Sequence, residues 1–270
     1  MVRLNVKHDR FTPPNWPAGF KLRIVALADI HACTTWMNVP RIDKIVKKAN
    51  ALKPDIVVLL GDYLSGMHLM FKSLPHDHWA ESLARLKAPL GVHAVLGNHD
   101  WWEDLQAQAR RGGPTMAGKA LEEVGIKLYS NDVTRLEKDG YGFWLAGLES
   151  QLALLANRRY PRRNIEGLDD LEGTLAQVTT NEPIVMMAHE PNIFEKMPDR
   201  VAVTLSGHTH GGQVRVRKKA KSARKRYGTQ YSYGHIVEDD RHLIVSGGLG
   251  YSVLPLRFGV PPEINLIELG

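Results

Sequence analysis

"KLRIVALADIHACTTWMNVPRIDKIVKKANALKPDIVVLLGD", residues 21–62, holds two apolar runs with a helical pattern between them. The first run, 21–29, ends in Asp29-Ile30-His31, and the second, 55–62, ends in Gly61-Asp62. Their hydrophobicity is continuous rather than alternating, which argues for strands covered on both faces. Between them, 41–53 puts Ile42, Ile45, Val46, Ala49 and Leu52 on one stripe, with Pro40 ahead and Pro54 as a stop. Strand, helix and strand in that order predict a layered α/β fold.

The pattern repeats along the chain. Residues 91–98, 141–149, 183–190 and 201–208 read as further buried strands. Residues 79–88 and 168–178 read as helices, and the tail as strand broken by Gly and Pro. No internal repeat or Gly/Ser/Pro-rich linker divides the 270 residues. One domain spanning 1–270, with its core at about 22–270, is therefore expected. Hydrophobic residues make up 43% and charged residues 24%, an ordinary globular balance. The single cysteine, Cys33, excludes an internal disulfide and a cysteine-rich zinc site. The apolar runs fall far short of the roughly 20 residues a bilayer requires. The first residues carry no apolar run of signal type, so a cytoplasmic location is expected. The net charge of +6 favours anionic partners. Eight basic residues between Arg215 and Arg226 form either a solvated loop or a patch for an anionic substrate or peripheral contact with an anionic membrane.

The polar residues at the ends of the apolar runs carry the chemistry. Asp29 and His31, then Asp62, Asn98, His189, and His208 with His210 stand at five strand ends. In open α/β sheets that edge binds ligands. An extended chain has period two, so Asp29 and His31 are expected to point one way, as are His208 and His210. Alone, an Asp at a strand end is a turn former and a lone His a satisfied core residue. Seven such groups on one rim would be costly to bury. A pair of divalent cations would satisfy them together.

The ordered set "DIH", "GD", "GNHD", a later His and "GHTH" resembles the calcineurin-like metallophosphoesterase superfamily, from about residue 22 to the end of the chain. The "GHTHGGQ" stretch and the tail "LPLRFGVPPEINLIEL" are most similar to its bacterial YkuE/YaeI-type branch. The resemblance implies a four-layer α/β/β/α sandwich around two metals. Asp29, His31 and His210 would bind one metal and Asn98, His189 and His208 the other. Asp62 would bridge them, and His99 would protonate the leaving oxygen. Two cations roughly 3.5–4 Å apart neutralise phosphate charge and activate a bridging water. Oxygen and imidazole ligands without thiolate suit Mn²⁺, Fe or Zn²⁺. Asp100 is assigned with His99 to catalysis, or to orienting a ligand histidine, against a plain helix cap. The Asp that comes soon after "GD" in the related protein phosphatases is missing from Asp62-Tyr63-Leu64-Ser65, which argues against that activity.

The expected activity is hydrolysis of phosphodiester or pyrophosphate-linked small molecules or lipids. The rival readings are a nuclease gripping nucleic acid with 215–226, disfavoured because no nucleic-acid module is present, and a non-catalytic scaffold. Cys33 borders the first metal or simply packs. His68, His76 and His78 belong to a surface loop or a lid. The run 67–71 and Trp101-Trp102 pack or meet an apolar substrate group. Gln213 and Tyr251 are weaker candidates for the metals' surroundings.

Overall fold

The computed structural model describes residues 3–65, 72–155, 165–214, 230–252 and 255–270. The 67–71 run with His68, and the basic run 215–226, lie outside them. One six-stranded sheet holds β1 (Asn5–Phe11), β2 (Leu22–Leu27), β3 (Ile56–Leu60), β4 (Val92–Val95), β5 (Lys127–Leu128) and the last strand, β14 (Glu263–Leu269). Its order is β1-β14-β2-β3-β4-β5. The second holds β6 (Asp132–Lys138), β7 (Tyr141–Gly147), β10 (Ile184–Met187), β11 (Val201–Ser206), β12 (Gly234–Glu238) and β13 (Arg241–Val245), in the order β12-β13-β11-β10-β7-β6. A short ladder joins β8 (Leu154–Leu155) to β9 (Ile165–Glu166). The six expected strands all form.

Side-chain alternation builds the layers. Ile24 and Ala26 of β2, with Ile56, Val58 and Leu60 of β3, face Phe143, Leu145, Val185, Met187, Val203 and Leu205 between the sheets. Val25, Leu27, Val57 and Leu59 face the other way, onto α1 (Val39–Ala51), α2 (His76–Leu83) and α5 (Met116–Glu123). Trp144, Ala146, Ile184 and Met186 cover the far face of the second sheet. They pack there with α6 (Leu171–Ala176) and the 3₁₀ turn Pro191–Lys196. This is the expected α/β/β/α sandwich.

Boundaries moved for local reasons. Asn38 caps α1 by accepting from the Arg41 N–H, so the helix starts earlier than residue 41 and takes Pro40 into its first turn. α2 begins at His76, which places His76 and His78 on a helix rather than in a loop. β1 pairs in full register with β14, so the sheet reaches beyond the expected 22–270 core. The β6–β7 hairpin turns at Asp139-Gly140, both at positive φ, an Asp-Gly signal the reading of apolar runs passed over.

Glu268 on β14 ties its neighbours together. It accepts from Arg10 of β1 and from Arg23 of β2 at 2.7 Å, and lies 2.7 Å from His8 Nε2. Hydrogen bonds from Arg10 and Arg23 pull its carboxyl down to about 2. A depressed carboxyl stabilises the fold above its unfolded value, about 4.5, and that stabilisation is lost as pH falls toward about 2. Glu268→Gln is expected to lose about 1 kcal/mol at pH 7 and nearly nothing at pH 2 to 2.5. Urea melts of both proteins at the two pH values measure this; an equal gap at both would contradict it.

Candidate metal centre

Four ligand candidates sit two residues beyond a strand: Asp29 after β2, Asp62 after β3, His189 after β10 and His208 after β11. Asn98 comes three residues after β4 and opens α3 (Asn98–Trp102). β2, β3 and β4 run parallel, as do β10 and β11, so each sheet delivers its ligands to one edge. The two edges meet. Asp29, His31 and His210 form one group that can hold a cation, and Asp62, His189 and His208 another. All seven candidates except His208 are buried, and His208 is partly so.

The convergence has a different cause from the one expected. Asp29, His31, Asp62, His208 and His210 have φ of 53°, 48°, 58°, 67° and 50°. The chain has left the strands there and turned left-handed, so period-two alternation does not apply. Each such residue costs about 1 kcal/mol or more. Five together mark a rim whose side-chain directions outweigh backbone comfort.

Two glycines let the loops cross. A Cβ on Gly97 would lie 2.3 Å from Asp62 Oδ1 and 2.8 Å from His189 Cε1. One on Gly61, at φ +87°, would lie 2.5 Å from the Gly97 nitrogen.

Asp62 is central. Its Oδ2 lies 3.5 Å from His31 Nε2 and 3.3 Å from His189 Nε2, and its Oδ1 accepts from the His99 N–H at 2.9 Å. Burial works to raise its pKa, but His189, His99 and His31 together outweigh it and hold the carboxyl well below its usual range. His189 moves the opposite way: burial would lower it, and the Asp62 charge raises it well above the imidazole range. Burial lowers His31 to about 4 and His208 to about 3. Burial, with His31 and Arg257 nearby, also holds His210 well below its ordinary value. Neutral imidazoles carry the lone pair a cation needs. Burial, offset in part by His189, lifts Asp29 to about 7.

Asn98 Oδ1 lies 2.8 Å from His208 Nδ1, which places the amide beside the second group. His31 Nδ1 and His189 Nδ1 bond the carbonyls of Leu64 and Leu60, at 2.8 and 2.6 Å. A carbonyl only accepts, so each ring donates through Nδ1, and Nε2 is the nitrogen that offers a lone pair to a cation when the ring is neutral. Among the described residues, Asp29 Oδ2 and His189 Nε2 are buried with no hydrogen-bond partner, and His189 Nε2 lies 3.3 Å from Asp62 Oδ2. One buried, unpartnered oxygen or nitrogen atom in each ligand group fits divalent cations.

Asp100 takes the helix-cap alternative and does not orient a histidine. Its carboxylate accepts the N–H groups of Asp62, Tyr63, Leu64 and Gly97 at 2.8 to 3.1 Å, not a histidine. It caps α3 and clamps the Asp62 loop at once. The neighbour of His99 is Glu103, whose Oε1 lies 3.4 Å from Nδ1. The signal was present as a four-residue spacing on a helix. Burial would lower the His99 pKa, but the Asp62 charge and Glu103 raise it. Its ring stands edge-on to His31 at 5.1 Å.

Of the weaker candidates, Cys33 and Trp101 both lie buried in the helix-side core, and Trp101 donates to Glu149 at 3.0 Å. Trp102 meets the His99 ring at 5.2 Å. Gln213 accepts from the Ser252 N–H, and Tyr251 lies beside Arg257. Arg257 itself, buried against His210, was passed over inside the tail motif.

Two sheets present oxygen and imidazole groups along one shared edge, as a candidate metal centre. The chain belongs to the calcineurin-like phosphoesterase family, whose sequence profile matches residues 22–212. The metallophosphoesterase YkuE of Bacillus subtilis is 29% identical over 257 residues, covering 94% of this chain and 81% of that protein. Phosphodiesterase YaeI of Escherichia coli is 27% identical, covering 92% and 82%. A transmembrane protein with a metallophosphoesterase domain from Danio rerio is 29% identical over 92% of this chain, which spans 53% of its length. NAD nucleotidase of Haemophilus influenzae shares the fold, with a TM-score of 0.52 at 15% identity, over 85% of this chain and 51% of its own. No helix among the described residues is long and apolar enough to cross a membrane.

Proposed function

We propose that the chain hydrolyses phosphodiester or pyrophosphate-linked substrates at a centre of two divalent cations. The carrying observation is the meeting of two ligand groups around Asp62, which lies within 3.5 Å of a histidine from each. Asp29, His31 and His210 would hold one ion; Asn98, His189 and His208 the other; Asp62 would serve both. When bound, such a pair supplies positive charge to the phosphoryl oxygens and acidifies water. Manganese is the ion of choice for testing, and Fe or Zn²⁺ suit the same donors. The similarity to a phosphodiesterase supports diesters over simple monoesters.

The chain's own groups do the rest. Asp100 keeps the Asp62 loop in place. His99 stands at the edge of the group, its side chain 20% exposed, where it can reach both substrate and solvent. Glu103 orients its ring and favours the protonated form, so His99 can deliver a proton to a leaving oxygen. His99→Gln is expected to keep its metal and lose about 100-fold in kcat, more with a poor leaving group. Kinetics on aryl diesters of graded leaving-group pKa, beside metal analysis, check this. Equal slowing for every leaving group would remove the acid role.

A second observation favours a lipid among the possible substrates. Trp36, Val214, Leu256 and Phe258 are 47%, 36%, 56% and 59% exposed. Their segments adjoin the centre: Trp36 meets Tyr251 ring to edge, Val214 bridges Phe258, and Leu256 and Phe258 flank Arg257, whose guanidinium meets His210. Scattered apolar residues mean little, but a group beside a site can seat an acyl chain. Replacing Trp36, Leu256 and Phe258 by Ser is expected to lower kcat/KM about 10-fold for a phospholipid in mixed micelles. Bis-p-nitrophenyl phosphate turnover should stay unchanged. Equal loss on both substrates would end the lipid reading.

A further inference from the structure

A cavity of about 420 Å³ opens at the opposite ends of the strands from the metal centre. Leu22 and Arg23, at the start of β2, line it, whereas Asp29 follows the end of that strand. Six residues of strand at about 3.3 Å each put roughly 20 Å between the two places. Five cationic side chains line the cavity: Arg10, Lys21, Arg23, Lys53 and Lys138. They come from β1, the entry to β2, the residues after α1 and the end of β6, so no single run of sequence announces them. The carboxylate side chains of the lining are Asp55 and Glu268, and the balance stays positive even with a carboxylate at Gly270.

Both carboxylates are already engaged. Glu268 accepts from Arg10 and Arg23. Asp55 accepts the Arg23 N–H at 2.7 Å and lies 3.5 Å from Lys138 Nζ. Lys138 also lies 3.1 Å from Asp139 and donates to the Lys21 carbonyl at 2.7 Å. Among the described residues no carboxylate pairs with Lys21 or Lys53. The carboxyl end of α1 accounts for a cation at Lys53, just past Leu52, but not for one at Lys21. Lys53 also holds φ at 50°, a place past a helix that glycine takes more comfortably. Like charges gathered along a concave wall repel one another and focus a positive potential, which a bound anion relieves.

We propose that this cavity is a second binding site, for a small soluble molecule carrying a chain of two or three phosphates. Glu268 and Asp55 fix the arginines and Lys138 in place, and Lys21 and Lys53 supply the uncompensated charge. The cavity's volume falls within the range of small-molecule sites. A phospholipid headgroup offers the same phosphate chemistry, but contact with a bilayer calls for apolar side chains around the opening. None of the large exposed apolar side chains among the described residues lines this cavity. The site owes nothing to the metal centre and stands apart from the activity proposed there.

The test is calorimetric titration of the metal-free full chain with inorganic tripolyphosphate at low salt. The tightest step of the wild type should weaken about 10-fold or more in the double variant Lys21→Glu, Lys53→Glu. A control pair, Lys44→Glu with Lys119→Glu, reverses two exposed helical lysines elsewhere and should weaken that step less than about 2-fold. Melting curves without the anion confirm that each variant is folded. A wild type that does not bind overturns the proposal. So does equal weakening by both pairs, which would make the attraction one of net charge alone. Wild-type affinity in the Lys21, Lys53 variant would place the anion elsewhere, such as on the basic run 215–226, and overturns it too. Flotation with vesicles of phosphatidylcholine and phosphatidic acid separates the two sources of phosphate. Capture by the vesicles that needs Lys21 and Lys53, with no binding of tripolyphosphate, would overturn the soluble ligand.

Discussion

Asp62→Asn should abolish Mn²⁺-stimulated hydrolysis of bis-p-nitrophenyl phosphate while leaving the fold intact. The amide oxygen can still accept the His99 N–H that now bonds Oδ1 at 2.9 Å, so the local backbone keeps its partner. What disappears is the negative charge next to His31 and His189 and the second acceptor oxygen. An amide cannot serve two cations with one oxygen and a nitrogen that carries two hydrogens. Losing about 4 kcal/mol of charge stabilisation corresponds to roughly 1,000-fold in rate. Metal content, measured on the same sample, should fall as well. A variant with full activity and full metal content would show that Asp62 is not at the centre of this chemistry.

Asp100→Ala is expected to be the most damaging substitution for the protein as a whole. Four buried N–H groups, of Gly97, Asp62, Tyr63 and Leu64, would lose their acceptor in a space water cannot readily enter. At about 1 kcal/mol or more each, the loss is roughly 4 kcal/mol, on the order of 10 °C in melting temperature. The Asp62 loop would relax, so metal uptake should fall with it. Asp100→Asn should do nearly as badly, because its NH₂ would face two of those donors. Calorimetric melts of the metal-free protein separate this from metal loss. An unchanged melting temperature in Asp100→Ala would refute the clamp.

These two aspartates look alike in the sequence, each at the end of a β-strand run or just beyond it, in "GD" and "GNHD". Their difference is a matter of what surrounds them. Asp62 faces imidazoles contributed by residues 31 and 189, and Asp100 faces backbone N–H groups from residues 62 to 64 and 97. Local sequence holds no record of such partners, because they arrive from other strands. Glu103 was legible in principle, since i,i+4 spacing on a helix is a local property. Arg257 was not: 47 residues separate it from His210, and only the packing of the last loop brings them together.

The amino-acid sequence alone determined the strands, the helices between them and the ligand types at their ends. Buried runs and 3.6-residue stripes are properties of contiguous segments, and polar groups after such runs have few places to go. Tertiary structure alone decided which way those polar groups face. The expected extended alternation gave way to left-handed turns at five of them, because only a chain that bends off the strand can aim side chains from two sheets at one point. Backbone preference is set by each residue and its neighbours in the chain. The direction of a side chain at a crowded edge is set by whatever the opposite sheet places there.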